Sequence, residues 1–305
     1  MVMQQKPRRP FRWGYVDMVL HRAKRIRRPR DVWWFLRWLR GVARLRLGGG
    51  STAPLEVRSH PPSVSITMAT NRPDFLAWAV ENVRRQHHRP LELVLALHGE
   101  GFDDGKVQAA LARLDIPTKV VRVDGAANLG DALNAATAEA MGELLTKMDD
   151  DDLYGSEHIS HLVSAWRKTG ARLVGKLPEW SYLCGHNASI SRYTETGARH
   201  RYRMSGGTMM IRRADLARIG GWRSVRRRVD TWLMDDVIAS GGMVHRATGR
   251  GYLVIRHGQG HTNDRDEKHY LGLADYVADG WRPSLAGILE VDDAPSFPGF
   301  ECPNS

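Results

Sequence analysis

From residue 63 onward, apolar side chains alternate between short dense runs and longer stretches spaced by three and four. Residues 63–68 form a β-rich run. Leu76, Ala79, Val80 and Val83 then share one face of a helix opened by Asp74. The run 91–97 has the density of a buried strand. A short helix over 106–114, a strand over 119–123 and a helix over 130–141 follow, the last with Leu133, Ala136, Thr137 and Ala140 on one face. A fourth strand spans 143–148. A helix over 156–168 aligns Ile159, Leu162, Val163 and Trp166, and a strand covers 172–176. Further on, Asp230 opens a helix and 251–256 reads as a strand. Such alternation predicts an α/β protein whose mixed, mostly parallel sheet is flanked by helices. Ligands in such sheets sit beyond the carboxyl ends of the strands, so residues 70–73, 98–99 and 149–152 are expected to meet in one crevice.

Upstream the pattern differs. Asp31 is placed to cap a helix through Val32, Phe35, Trp38, Leu39 and Val42, with Arg37, Arg40 and Arg44 on another face. Gly48, Gly49, Gly50 and Ser51 read as a linker. The expected organisation is a basic, Trp-rich helical extension over 1–60, a main domain over 61–270 and a C-terminal tail over 271–305.

The net charge of +11 changes meaning once it is located. Residues 1–60 carry 15 Lys and Arg against 3 Asp and Glu, and the remainder carries 30 against 31. The main domain is therefore neutral. With no nucleic-acid-binding module beside the charge, no nucleic-acid partner is expected. A helix bearing Trp33, Trp34, Phe35, Trp38 and several arginines suits an anionic bilayer surface. A helix docked on the main domain with its arginines solvated fits equally. Cys184 and Cys302 cannot build a disulfide framework and have no metal-type spacing. No apolar run approaches a spanning helix and no secretory signal is seen, so the expected location is cytoplasmic, with the extension at the inner face of the membrane.

The candidate chemistry centres on Asp149, Asp150, Asp151 and Asp152, directly after the fourth strand. Four adjacent carboxylates repel one another, and a hard divalent cation is the usual way to hold them at a strand end; a solvated acidic turn is the plainer alternative. Arg72, after the first strand, offers a guanidinium fork for phosphate or a flat surface for a base. No G-x-G-x-x-G follows the first strand and no P-loop occurs, so the combination points to a nucleotide diphosphate held through its metal.

Over residues 63–264 the sequence resembles the family-2 type of nucleotide-sugar glycosyltransferase. The resemblance rests on the segment 64–73 (VSITMATNRP), on Asn128, Leu129, Gly130, Leu133 and Asn134, on 147–152 (KMDDDD), on 205–213 (SGGTMMIRR) and on the helix at Asp230. It implies the GT-A fold, a Rossmann-like mixed sheet. It also implies transfer of a sugar from a nucleotide-diphosphate donor, with UDP the expected nucleotide. By this resemblance Asp149 contacts the ribose or the metal, Asp151 coordinates Mg2+ or Mn2+, and Asp150 and Asp152 stand beside them. Thr70, Arg72 and Asn128 line the nucleotide pocket, and Gly206 and Gly207 let backbone approach the donor sugar. His261 completes the metal shell in preference to His257.

An inverting transfer needs a carboxylate that takes the acceptor's proton, and the resemblance places Asp230 in that role. An aspartate at that point is also a good helix cap. The family often has Glu before this aspartate where this chain has Val229. Asp235 and Asp236 compete for the role but read as the polar face of the helix. His98 and Gly99 stand where relatives carry an aspartate that reads the base. The acceptor is expected to be a cell-envelope glycan, a lipid-linked sugar or a small molecule, chosen by residues 180–202. The alternatives are a sugar nucleotidyltransferase on a related fold, for which 70–73 is a poor Gly-rich loop, and a non-catalytic membrane-associated adaptor.

Overall fold

The computed structural model describes residues 19–20, 22–24, 26–46, 60–192, 204–257 and 265–291. The linker at 48–51, residues 193–202 of the segment expected to choose the acceptor, His261 and Cys302 lie outside them.

Chain order begins with helix α1 (Pro29–Arg46), strand β1 (Val64–Thr70), helix α2 (Leu76–Arg84), strand β2 (Leu91–His98), helix α3 (Asp104–Leu111) and strand β3 (Thr118–Val123). Helix α4 (Leu129–Glu139), strands β4 (Leu144–Lys147) and β5 (Leu153–Tyr154), helix α5 (His158–Thr169) and strands β6 (Leu173–Lys176), β7 (Trp180–Leu183) and β8 (Ala188–Ser191) come next. The series ends with β9 (Met210–Arg212), α6 (Arg213–Arg218), α7 (Val229–Ala239), β10 (Val244–Ala247), β11 (Tyr252–Arg256), α8 (Glu267–Gly272) and β12 (Tyr276–Asp279).

A seven-stranded sheet runs in the order β10-β6-β9-β4-β1-β2-β3. It is parallel except for β9, which lies antiparallel to both β4 and β6. The fold class expected from the alternation is therefore the one observed. Side chains leave the central strands on opposite sides in turn. Ile66, Met68, Leu93 and Leu95 pack with α2, α3 and α5, while Val94, Ala96, Leu145 and Ile211 pack with α1, α4 and α7. Both faces are covered, which is why these strands read as dense apolar runs.

A second sheet, β12-β8-β7-β11-β5, is smaller and mostly antiparallel. Of its strands only β11 is legible as a strand in the sequence. The segment read as a C-terminal tail contributes β12 to it and buries Trp281, Ala286 and Ile288 in its core.

Helix α1 starts at Pro29, two residues before the expected cap. Asp31 lies in the first turn and its Oδ2 accepts the backbone N–H groups of Arg27 and Arg28, both at 2.9 Å. Proline suits such a start because its missing N–H would be unbonded there anyway. No helix among the described residues is long and apolar enough to cross a membrane.

Candidate active site

Met148 is buried and anchors the end of β4; the four aspartates then diverge. Asp150 turns toward β1. Arg72 grips both of its oxygens, Nε lying 3.1 Å from Oδ2 and Nη2 donating to Oδ1, and the Thr70 hydroxyl also donates to Oδ2. Arg72 Nη1 donates to Asp151 Oδ2 at 2.8 Å, and the Phe75 ring centre lies 4.6 Å from its guanidinium carbon. His257, just past the end of β11, brings Nε2 to 3.3 Å from both Asp151 Oδ2 and Arg72 Nη1. Burial depresses the Arg72 guanidinium, but the charges of Asp151 and Asp150 overcome it and the net shift is upward.

Asp152 points the other way, into the second sheet. Its Oδ2 accepts from the Tyr252 hydroxyl at 2.5 Å and its Oδ1 from the Ile255 N–H at 3.2 Å. Its backbone carbonyl accepts from Trp78 Nε1 and Asn82 Nδ2, both at 2.9 Å. Burial, reinforced by Asp151 and Asp149, pushes its carboxyl well above the ordinary carboxylate range. Burial also raises Asp150, with Arg72 pulling in the opposite direction.

Asp149 stands nearest the turn Gly206–Thr208. Lys147 Nζ donates to its Oδ1. Its backbone N–H donates to the Tyr154 hydroxyl at 2.8 Å, which in turn donates to the Gly207 carbonyl at 2.9 Å. A Cβ at Gly207 would fall 2.6 Å from both Asp149 Oδ2 and the Tyr154 oxygen. A Cβ at Gly206 would lie 3.0 Å from the Cβ of Asp230. The two glycines therefore seat Asp149 and Asp230 over one turn, a tight approach that a side chain would prevent.

Asp230 sits in the first turn of α7, whose N-cap is Arg228 in the left-handed region (φ 64°). Burial raises its carboxyl, with Asp149 adding to the shift and the Thr231 N–H and Lys147 opposing it. Asp235 and Asp236 are not a solvated polar face. Asp235 is fully buried and accepts from Arg22 Nη2 (2.9 Å) and Trp38 Nε1 (3.2 Å), and Asp236 accepts from Arg223 Nε (2.7 Å) and Trp34 Nε1 (2.9 Å). Their partners lie on or beside α1, so they hold that helix rather than face the crevice.

Asn128, expected at the nucleotide pocket, and Asn134, in the same stretch, both make local bonds. Asn128 closes the start of α4, its N–H donating to Asp131 Oδ2 at 2.9 Å and its Nδ2 to Ser224 Oγ at 3.2 Å. Asn134 clasps the backbone of Trp222, donating to its carbonyl and accepting from its N–H, both at 2.8 Å. The His98 ring reaches the Ala127 carbonyl at 3.0 Å.

One oxygen each of Asp149, Asp151 and Asp152 lies within 4.8 Å of the others. An all-carboxylate set on one short loop fits a hard divalent cation. Tyr252 and Ile255 engage both Asp152 oxygens, which ties the loop to the second sheet, while one oxygen is engaged on Asp149 by Lys147 and one on Asp151 by Arg72 and His257.

The mixed, mostly parallel sheet flanked by helices matches the GT-A fold of solved structures to which this one is similar. The S. aureus TarS 1–349 chain, in complex with UDP-GlcNAc, superposes with a TM-score of 0.51 at 13% identity, covering 67% of this chain and 61% of that one. S. aureus TarS superposes with a TM-score of 0.50 at 13% identity, covering 64% of this chain and 37% of that one. The protein thus spans about three fifths of the one TarS chain and just over a third of the other. No curated protein matches it. The model of glycosyl transferase family 2 matches residues 65–232, more than half of the sequence, and the protein belongs to that family.

Proposed function

We propose that the protein moves a sugar, with inversion, from a nucleoside-diphosphate donor to an acceptor hydroxyl, using Mg2+ or Mn2+ held by Asp149 and Asp151. The observation that carries this reading is the pair of carboxylates, Asp149 and Asp230, seated over the single turn Gly206–Thr208. The UDP-GlcNAc bound by TarS 1–349 favours a UDP-sugar as donor.

A divalent ion held by Asp149 and Asp151 would supply positive charge to the departing diphosphate. Arg72, whose fork is held by Asp150 and Asp151, offers its flat face to the nucleotide. Thr70 and Asp150 position Arg72. Asp230 accepts the proton of the acceptor hydroxyl as that oxygen bonds to the anomeric carbon. The bond from that carbon to the diphosphate oxygen breaks, and its electron pair leaves with the nucleotide. The raised Asp230 carboxyl suits this role, because a base works best when its affinity for protons lies near the working pH. The acceptor is a glycan, a lipid-linked sugar or a small molecule.

The test is a thermal-shift panel of UDP-, GDP- and dTDP-sugars with and without Mn2+. A Mn2+-dependent shift with a UDP-sugar is expected. Absence of any metal-dependent shift overturns the reading.

A further inference from the structure

Helix α1 has two unlike faces. On the inner face Trp38 and Val42 are fully buried in the core that includes α7, and the absence of a side chain at Gly41 lets the helix touch the Ile238 carbonyl. Trp34 donates to Asp236, and Arg22 and Trp38 donate to Asp235. The helix is thus tied to α7, which carries Asp230.

The outer face is different. Trp33 is 63% exposed, Leu36 50% and Val32 44%, and Leu20 just upstream is 53% exposed. Trp33, Leu36, Arg37, Arg40 and Arg44 follow one another at helical spacing along a single stripe, and these three arginines are exposed. The Arg37 guanidinium lies 4.6 Å from the Trp33 ring centre. Three large apolar side chains remain in water on a helix whose opposite face has already found its partners.

We propose that this outer face docks the protein on an anionic phospholipid bilayer. Indole and leucine side chains fit the boundary between headgroups and acyl chains, while guanidinium groups on long stems reach lipid phosphates. Helix α1 itself carries five arginines against one aspartate, so attraction to a negative surface acts at this helix and orients the molecule. A second copy of the chain is a poor occupant, because pairing the two stripes would set arginines against arginines. This inference does not depend on which sugar is moved.

Cosedimentation of the full chain with vesicles of phosphatidylcholine, alone or doped with phosphatidylglycerol, tests the proposal. The protein should partition onto the doped vesicles, less so at high salt, and stay free of phosphatidylcholine alone. The W33A/L36A variant should bind the doped vesicles about ten-fold more weakly while keeping the parent unfolding temperature. Charge reversal at Arg37 and Arg40, both exposed, should also weaken partition, and it decides the matter alone if W33A/L36A unfolds. Equal partition onto both vesicle types overturns the proposal. So does undiminished binding by these variants, or a dimer in sedimentation velocity that W33A/L36A dissolves.

Discussion

The two sides of the crevice treat their carboxylates in opposite ways. Beside β1, Asp150 and Asp151 are clasped by Arg72, with Thr70 and His257 completing the grip. Beside α7, no guanidinium among the described residues is seen to bond Asp230, and Lys147 acts on it through space. In the proposed reaction the first arrangement holds Arg72 for the nucleotide. Burial raises the proton affinity of Asp150 and Asp230 alike, but Asp150 is clasped by Arg72, and Asp230 is the carboxyl proposed as the base. Under that reading, holding falls to the ends of β1 and β4 and reacting to the first turn of α7.

Substituting Asp230→Asn should produce the largest effect and test that division most directly. Turnover should fall by about 10²- to 10⁴-fold, while calorimetric donor affinity stays close to that of the parent. Lost donor affinity would erase the distinction between the two sides. Next in size is Arg72→Ala, which leaves Asp150 buried without its counter-ion. Because the Arg72 side chain is 23% exposed, the low end of the usual penalty applies, about 3 kcal/mol in denaturant unfolding. Gly207→Ala drives a methyl into Asp149 and Tyr154 and should cost about 1–3 kcal/mol, read from the same unfolding curves, with part of the metal response lost as well.

The smallest effect is a pH dependence. Asp230 must be ionised to accept a proton, so kcat/KM should rise with pH through a midpoint above the ordinary carboxylate value of about 4. The stability sign runs the other way. Between its unfolded and its raised folded proton affinity, the folded state holds more protons, so folding stability falls as pH rises through that window. Asp230→Asn should flatten this decline in urea titrations across the same range.

In the large sheet β1, β2, β4 and β6 were legible because they are buried on both faces and therefore rich in apolar residues, whereas β9 and β10, three and four residues long, were not read. The second sheet was not. Strands β5, β7 and β8 are two to four residues long, and β7 and β8 carry Ser181, Ser189 and Ser191 inside the protein, so neither apolar density nor alternation marks them. At the site, the aspartate run, Arg72 and Asp230 were visible as chemistry. Their pairing was not, because Asp150 meets Arg72 across 78 positions and Asp151 meets His257 across 106. Local sequence cannot encode such a meeting; only the register of β1, β4 and β11 does. Asp235 misled for the same reason, since its partners Arg22 and Trp38 come from the far end of the chain.

The Tyr154 hydroxyl alone joins the backbone N–H of Asp149 to the carbonyl of Gly207. Because the ring that carries it is fully buried, this one oxygen works as a fixed pin between the aspartate loop and the turn beneath Asp230. The distance between the two carboxylates of the proposed reaction is set at that pin.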